Sequence, residues 1–191
     1  MKKLGLCLLL AVFWFSIKAQ TTATPVKYAI IDPSPLDALY YPLNAVKVKK
    51  DDTSMPIIKV LYSRPAKKGR EIFGVLEQFD KVWRLGANEN TEIYFAKSVT
   101  IGNKKVKAGT YSLFAIPGKN SWTIIVNKQT NRWGAFNYDV AKDVVRVTVP
   151  VTKTEKVIEV FSMTFADSTE GANLFMAWDN TQVMLPILFK K

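Results

Sequence analysis

Between Tyr62 and Glu92 the chain gathers the side chains best suited to recognition: Arg64, Arg70 and Arg84, the indole of Trp83, and the polar pair Asn88 and Glu89. A guanidinium presents a planar fork of donors that fits a carboxylate, sulfate or phosphate in two-pronged fashion, and an indole face stacks on a sugar ring or a cation. Brought together, these six residues would form a pocket for a small anionic or sugar-like ligand. The same types serve architecture equally well. Arg64, Arg70 or Arg84 set against Glu71, Glu89 or Glu92 would pin a long connection onto a sheet, with Trp83 filling core. A second group, Trp133, Phe136 and Tyr138, reads either as an aromatic loop that grips carbohydrate or as rings folded back to cap one end of the domain.

What is missing narrows the chemistry further. There is no histidine, and the one cysteine, Cys7, lies in the leading apolar run. Ser-His-Asp and Cys-His nucleophile pairs, a histidine general base and histidine-ligated zinc, copper or iron are therefore excluded, and thiolate chemistry leaves with Cys7 if that run is removed. The acids, lysines, tyrosines and hydroxyls that remain suffice for glycoside hydrolysis by a carboxylate pair, for which Glu89 with Glu92, or with another acid supplied by the fold, is the candidate. Neither a Gly-Lys-Ser phosphate loop nor a Gly-x-Gly-x-x-Gly turn occurs. Asp51-Asp52 and Asp167-Ser168-Thr169-Glu170 lack the spacing of a calcium loop and read as solvated turns, so neither metal nor other cofactor is expected.

The start of the chain has the three parts of a secretory signal: Lys2 and Lys3, an apolar run from Leu4 to Ile17, and Ala19 as the small residue before a cut. That run is about 14 residues, short of the roughly 20 that cross a bilayer as a helix, and no later segment is longer, so no transmembrane segment is expected. The reading is a signal peptide over 1–19 followed by one domain over 20–191, exported to the periplasm or outer cell envelope. Losing Lys2, Lys3 and Lys18 lowers the formal charge from +11 to +8. The lysines that keep the chain basic, such as Lys47, Lys68 and Lys105, are spread over several turns without interleaved aromatics. They read as a solubilising surface, and no nucleic-acid partner is expected.

The elements that must position these residues are short β-branched and aromatic runs separated by Gly, Pro, Asn and Asp. Ile58, Val60 and Tyr62 alternate with Lys59 and Leu61, and Trp122, Ile124 and Val126 alternate with Thr123 and Ile125, the pattern of strands with a buried face. Gly102-Asn103 predicts a hairpin turn, Asp51-Asp52 another after Val46-Lys-Val48, and Pro117 to Asn120 a third. Three late apolar runs, Val157 to Phe165, Leu174 to Trp178 and Val183 to Phe189, predict strands, with Asp179-Asn180 a tight turn between the last two. Glu71 to Asp80 carries Ile72, Phe73, Leu76 and Phe79 at helical spacing, interrupted by Gly74, and predicts one or two helical turns. Ser63 to Lys81 and Gln129 to Asp143 read as long connections. The sum is an all-β chain: an antiparallel β-sandwich, jelly-roll-like, of about nine to eleven strands with at most one or two short helices.

Tyr-Ser-Arg-Pro at 62–65, Lys68-Gly-Arg70, Val82-Trp-Arg84 and Gly86-Ala-Asn88-Glu89, together with Gly109-Thr-Tyr111, Ile116-Pro-Gly118 and Trp122-Thr-Ile124, resemble the signature of a bacterial family of exported proteins classed only as a domain of unknown function. The resemblance covers the chain from about Ile57 to Phe189. It implies a shared β fold and an envelope location, and it brings no reaction. A non-catalytic binding or structural domain is the leading expectation, and a carbohydrate-active hydrolase the alternative.

Overall fold

A computed structural model describes residues 26–43 and 55–189. Residues 26–30 have no regular structure, and Val26, Tyr28 and Ile30 are exposed. The segment read as a signal peptide, Cys7, Val46-Lys-Val48 and the turn expected at Asp51-Asp52 lie outside the described residues.

The strands follow the alternation of the sequence. They are β1 (Leu36–Tyr41), β2 (Ile58–Ser63), β3 (Thr91–Phe95), β4 (Val99–Ile101), β5 (Lys104–Val106), β6 (Gly109–Ile116), β7 (Ser121–Asn127), β8 (Asp143–Pro150), β9 (Thr152–Asp167) and β10 (Gly171–Leu188). Two antiparallel sheets result, one in the order β1-β2-β3-β6-β7-β8 and the other β5-β4-β10-β9. Ile58, Val60 and Tyr62 of β2 and Trp122, Ile124 and Val126 of β7 are buried against Phe161 and Phe165 of β9 and Leu174, Trp178 and Leu185 of β10. A period of two puts every second side chain on the inner face, and the two inner faces interdigitate as a sandwich core.

Its centre is aromatic. Trp83 stacks on Trp178 at 6.0 Å and meets Trp122 at 5.7 Å and Phe161 at 5.1 Å edge to face, while Phe73 closes on Trp122 at 4.9 Å. Such pairs add about 0.5–1.5 kcal/mol each to what burial alone contributes.

β10 has 18 residues. A straight strand of that length would hold its ends about 60 Å apart. Instead, Phe189 N–H donates to the Glu170 carbonyl at 2.9 Å, and a Cβ on Gly171 would run into the Ile187 carbonyl. β10 therefore doubles back on itself at Asp179-Asn180, where Asp179 takes φ 55° and Trp178 and Thr181 are buried on either side. The tight turn expected there is present, and the three late apolar runs are β9 and the two arms of β10. The Gly102-Asn103 hairpin is present as well, with Ile101 paired to Lys104, and Pro117 to Asn120 joins β6 to β7.

The helix expected over Glu71–Asp80 does not form. These residues make turns, with Gly74 N–H donating to the Glu77 carbonyl and Glu77 N–H to the Ile72 carbonyl, both at 2.9 Å. Gly74 sits at φ 95°, which helical backbone forbids, and Ile72 reaches the core while Val75 and Leu76 stay exposed, so no single face holds the apolar residues. A 3-10 turn forms instead farther along, at Val140–Lys142, capped by the Asp139 carboxylate, which accepts from Ala141 N–H at 2.9 Å.

The connection from Gln129 to Asp143 lies over the outer face of the six-stranded sheet. Phe114 and Ile125, paired across β6 and β7, are buried yet outside the inter-sheet core, and the Tyr138 ring meets Phe114 edge to face at 5.2 Å. The Tyr138 hydroxyl donates to Asp143 Oδ2 at 2.6 Å and accepts from Arg146 Nη2 at 2.6 Å. Burial first, then the bond to Asp143, push this phenol up to about 12, against the pull of Arg146. Among the described residues no helix is long and apolar enough to cross a membrane.

Candidate functional site

The six residues singled out in the sequence go to different places. Arg64, just past β2, pairs through Nη1 with Asp37 Oδ2 at 2.8 Å, donates from Nη2 to Ser162 Oγ at 2.9 Å and from Nε to the Phe161 carbonyl at 3.3 Å. Its fork ties β1 and β2 to β9. Arg70 donates from Nε to the Lys67 carbonyl at 2.9 Å and from Nη2 to the Ala66 carbonyl at 2.6 Å, capping its own turn, in which Lys68 and Gly69 have positive φ. Trp83 is 4% exposed, with its indole N–H on the Gly86 carbonyl at 3.1 Å. These are the contacts of architecture.

Arg84, next to Trp83 in the chain, lies beside the 129–143 connection: its Nη1 is 3.6 Å from where a Cβ on Gly134 would stand, and its Nε is buried without an acceptor among the described residues. Its charge also reaches Glu77, a residue that carried no signal in the sequence. Burial pushes the Glu77 carboxyl up from 4.5 to about 7, and Arg84 and Arg70 oppose that shift without cancelling it. An acid in an apolar turn sequence looks like any solvated acid until the turn is folded against the domain.

Asn88 and Glu89 do come together, and they meet Trp133 of the aromatic loop and its neighbour Gly134. Asn88, at φ 57°, donates from Nδ2 to Asp32 Oδ1 at 3.0 Å, and its carbonyl accepts from Gly134 N–H at 2.9 Å. Glu89 forms a β-bridge with Trp133, and its Oε2 lies 3.5 Å from the Ser63 hydroxyl that donates to it. Buried Asn90 anchors the pairing: Nδ2 donates to Ser112 Oγ at 2.6 Å, Oδ1 accepts from Arg132 N–H at 2.8 Å, and Ser112 in turn donates to the Gln129 carbonyl. Glu92 Oε1 accepts from Asn131 N–H at 2.5 Å. Three connections thus stitch residues 131–133 to the start of β3, and Ser112 ties Gln129 to β6.

The result is a groove of about 370 Å³ on the outer sheet face, walled by Leu36 and Leu61, with Glu89, Glu92 and Arg132 around it and Trp133 at one side. A second hollow of about 350 Å³ shares Leu61 and Glu92 and continues the groove past Lys59 and Tyr94. From Glu89 to Tyr94 the track follows extended backbone for about 17 Å. Trp133 is 63% exposed and Tyr94 39% exposed, whereas Tyr138 is packed down. The aromatic group of the connection is therefore split, with Tyr138 covering the sheet and Trp133 and Phe136 left facing water. An exposed indole beside carboxylates and amide groups offers a stacking face together with acceptors for hydroxyl donors. No cluster of three metal-ligating side chains occurs among the described residues.

Fold and groove together define a class: an all-β sandwich that carries an aromatic-edged polar groove on the outer face of one sheet. The chain belongs to the family described as Protein of unknown function (DUF2911), which it matches over residues 42–187, from just after β1 almost to the end of β10. That span holds Arg64, Arg70, Trp83, Arg84, Asn88, Glu89 and Trp133. No curated protein and no solved structure matches the chain.

Proposed function

We propose that this protein is an exported, non-catalytic binding domain of the cell envelope that holds a saccharide in the groove along β3. The observation that carries the reading is Trp133, 63% exposed on a connection otherwise stitched to the sheet and set beside Glu89 and Glu92. An indole left in water at a groove edge costs apolar exposure that packing elsewhere would have removed, and a sugar ring is a partner that stacks on such a face while its hydroxyls donate to carboxylates. A sugar fits better than a small anion. Arg64 and Arg70 are engaged with Asp37 and with their own loop, and the guanidinium that does line the groove, Arg132, shares it with the two carboxylates Glu89 and Glu92. In this reading Asn88 and Glu89 belong to the site, Arg84 supports the loop behind it, and Arg64, Arg70 and Trp83 hold the frame.

The hydrolase reading has one observation in its favour, that Glu89 and Glu92 line the same hollow. Both are tested together by a screen of oligosaccharides with melting temperature as the readout, followed by Trp133→Ala and Glu92→Gln. Binding lost in Trp133→Ala at unchanged baseline stability, with no sugar released, supports the binding domain. Sugar release that Glu92→Gln abolishes would establish the hydrolase instead. If no saccharide raises the melting temperature, or Trp133→Ala binds as well as the parent, the groove is not the site.

A further inference from the structure

The geometry points to a second binding site, distant in the fold from the groove, for a small organic acid with a flat apolar body. It lies at the end of the sandwich where the tip of β10 meets the β6–β7 turn, in a pocket of about 490 Å³, within the range typical of small-molecule sites. Three elements build it. The doubled-back β10 contributes Asp179 to Thr181, and β9 curls round that tip so that Lys153 pairs with Thr181. Gly118-Lys119 comes from the β6–β7 turn, and Phe73 and Phe79 come from the connection that Gly74 keeps out of a helix.

The charges on the rim are unequal. Asp179 is already paired with Lys67 at 3.1 Å, while Lys153 rests on the neutral Asn180 side chain at 3.2 Å. Lys119 forms no ion pair with a described residue. Two ammonium groups therefore face Glu71 as the one carboxylate of the rim without such a pairing, an excess that favours an anionic head group. Below the rim the wall is aromatic, made of Phe73, Phe79 and Trp122.

Trp122 supplies the observation that points to a ligand. Its side chain is fully buried, and its indole N–H has no hydrogen-bond acceptor among the described residues. The neighbouring rings of Phe73, with centroids 4.9 Å apart, and Trp83, at 5.7 Å, carry no lone-pair acceptor for it. Nearly all buried donors in folded proteins are paired, so an unpaired one in the wall of a cavity calls for an acceptor brought from outside. With the Phe73 ring turned aside from Trp122, a carboxylate oxygen would supply it, with the apolar body against the aromatic wall and Lys119 and Lys153 closing over the head.

Benzoate is the probe, and benzamide its uncharged counterpart of nearly the same shape, both added to the full chain. The expected result is a rise in melting temperature with benzoate that benzamide does not match, together with a shift of the Trp122 indole N–H resonance, assigned through Trp122→Phe. Lys119 and Lys153 are exposed, so the double variant Lys119→Gln, Lys153→Gln folds as the parent does, and it should bind benzoate at least fivefold more weakly. Equal effects of benzamide and benzoate, an undiminished response in the double variant, a shift of Trp133 in place of Trp122, or no binding of benzoate at all would each overturn the assignment.

Discussion

Replacing Arg64 by methionine keeps the apolar stem and deletes the guanidinium that joins β1, β2 and β9. Three hydrogen bonds go with it, to Asp37 at 2.8 Å, Ser162 at 2.9 Å and the Phe161 carbonyl at 3.3 Å. Each bond is worth roughly 0.5–1.5 kcal/mol net. The ionic part of the Asp37 contact adds little, because the two side chains are 33% and 44% exposed, and exposed pairs contribute about 0–1 kcal/mol. The expected loss is about 2–3 kcal/mol. At roughly 2–4 °C per kcal/mol for a domain of this size, the melting temperature should fall by about 5–10 °C. Thermal and urea unfolding of Arg64→Met measure it, and a double-mutant cycle with Asp37→Asn should return a coupling below about 1 kcal/mol. Saccharide affinity, read on the same samples below the transition, should not change. A variant that melts within about 2 °C of the parent but no longer binds would refute the reasoning, since Arg64 would then be contacting ligand and the clamp between sheets would carry no stability.

Other expectations follow the same logic. Gly171→Ala places a methyl against the Ile187 carbonyl and within 3.0 Å of the Leu188 Cα, backbone that cannot step aside, so it should cost more than about 2 kcal/mol in urea unfolding; a neutral result would mean that the arms of β10 do not lie side by side. For Glu77, a carboxyl raised from 4.5 to about 7 means that the folded state holds a proton the unfolded state has released, so stability falls as pH rises from about 4.5 to about 7. Glu77→Gln should flatten that slope and gain on the order of 2 kcal/mol relative to the parent above pH 7, and parallel pH profiles of the two proteins would place the side chain in solvent. Tyr138→Phe removes the hydroxyl that bridges Asp143 and Arg146 and should lower stability by about 1–2 kcal/mol while raising hydrogen exchange in the 129–143 connection more than in β6 and β7; uniform exchange would argue against that anchor.

The strands were legible residue by residue, because in-out alternation is a local property of a chain that buries one face of a sheet. Ile58, Val60 and Tyr62 pointed inward in sequence and do so in the fold. So were the turns whose chemistry sits in two residues, Gly102-Asn103 and Asp179-Asn180, since each needs only a residue that tolerates positive φ between two apolar runs. The stretch from Glu71 to Asp80 shows where that reasoning stops. Helical spacing of Ile72, Phe73, Leu76 and Phe79 is a local signal too, but the core accepted Ile72 and Phe73 one way and left Leu76 outside, and tertiary packing overrode the pattern.

The residue types of a binding site could be read from the sequence, but not which of them share one. Arg64 finds Asp37 at 27 residues' separation and Phe161 at 97, and so becomes a clamp. Glu89 meets Trp133 only because Asn90 and Ser112, buried between them, bind the far connection to the start of β3. Composition by itself determined that imidazole chemistry is closed to this chain and that thiol chemistry rests on Cys7 alone, and periodicity by itself determined that the chain is made of packed sheets. Only the tertiary structure decided which guanidinium is neutralised, which indole faces water and which carboxyl keeps its proton, because each of those depends on what lies opposite a side chain across a gap that local sequence does not encode.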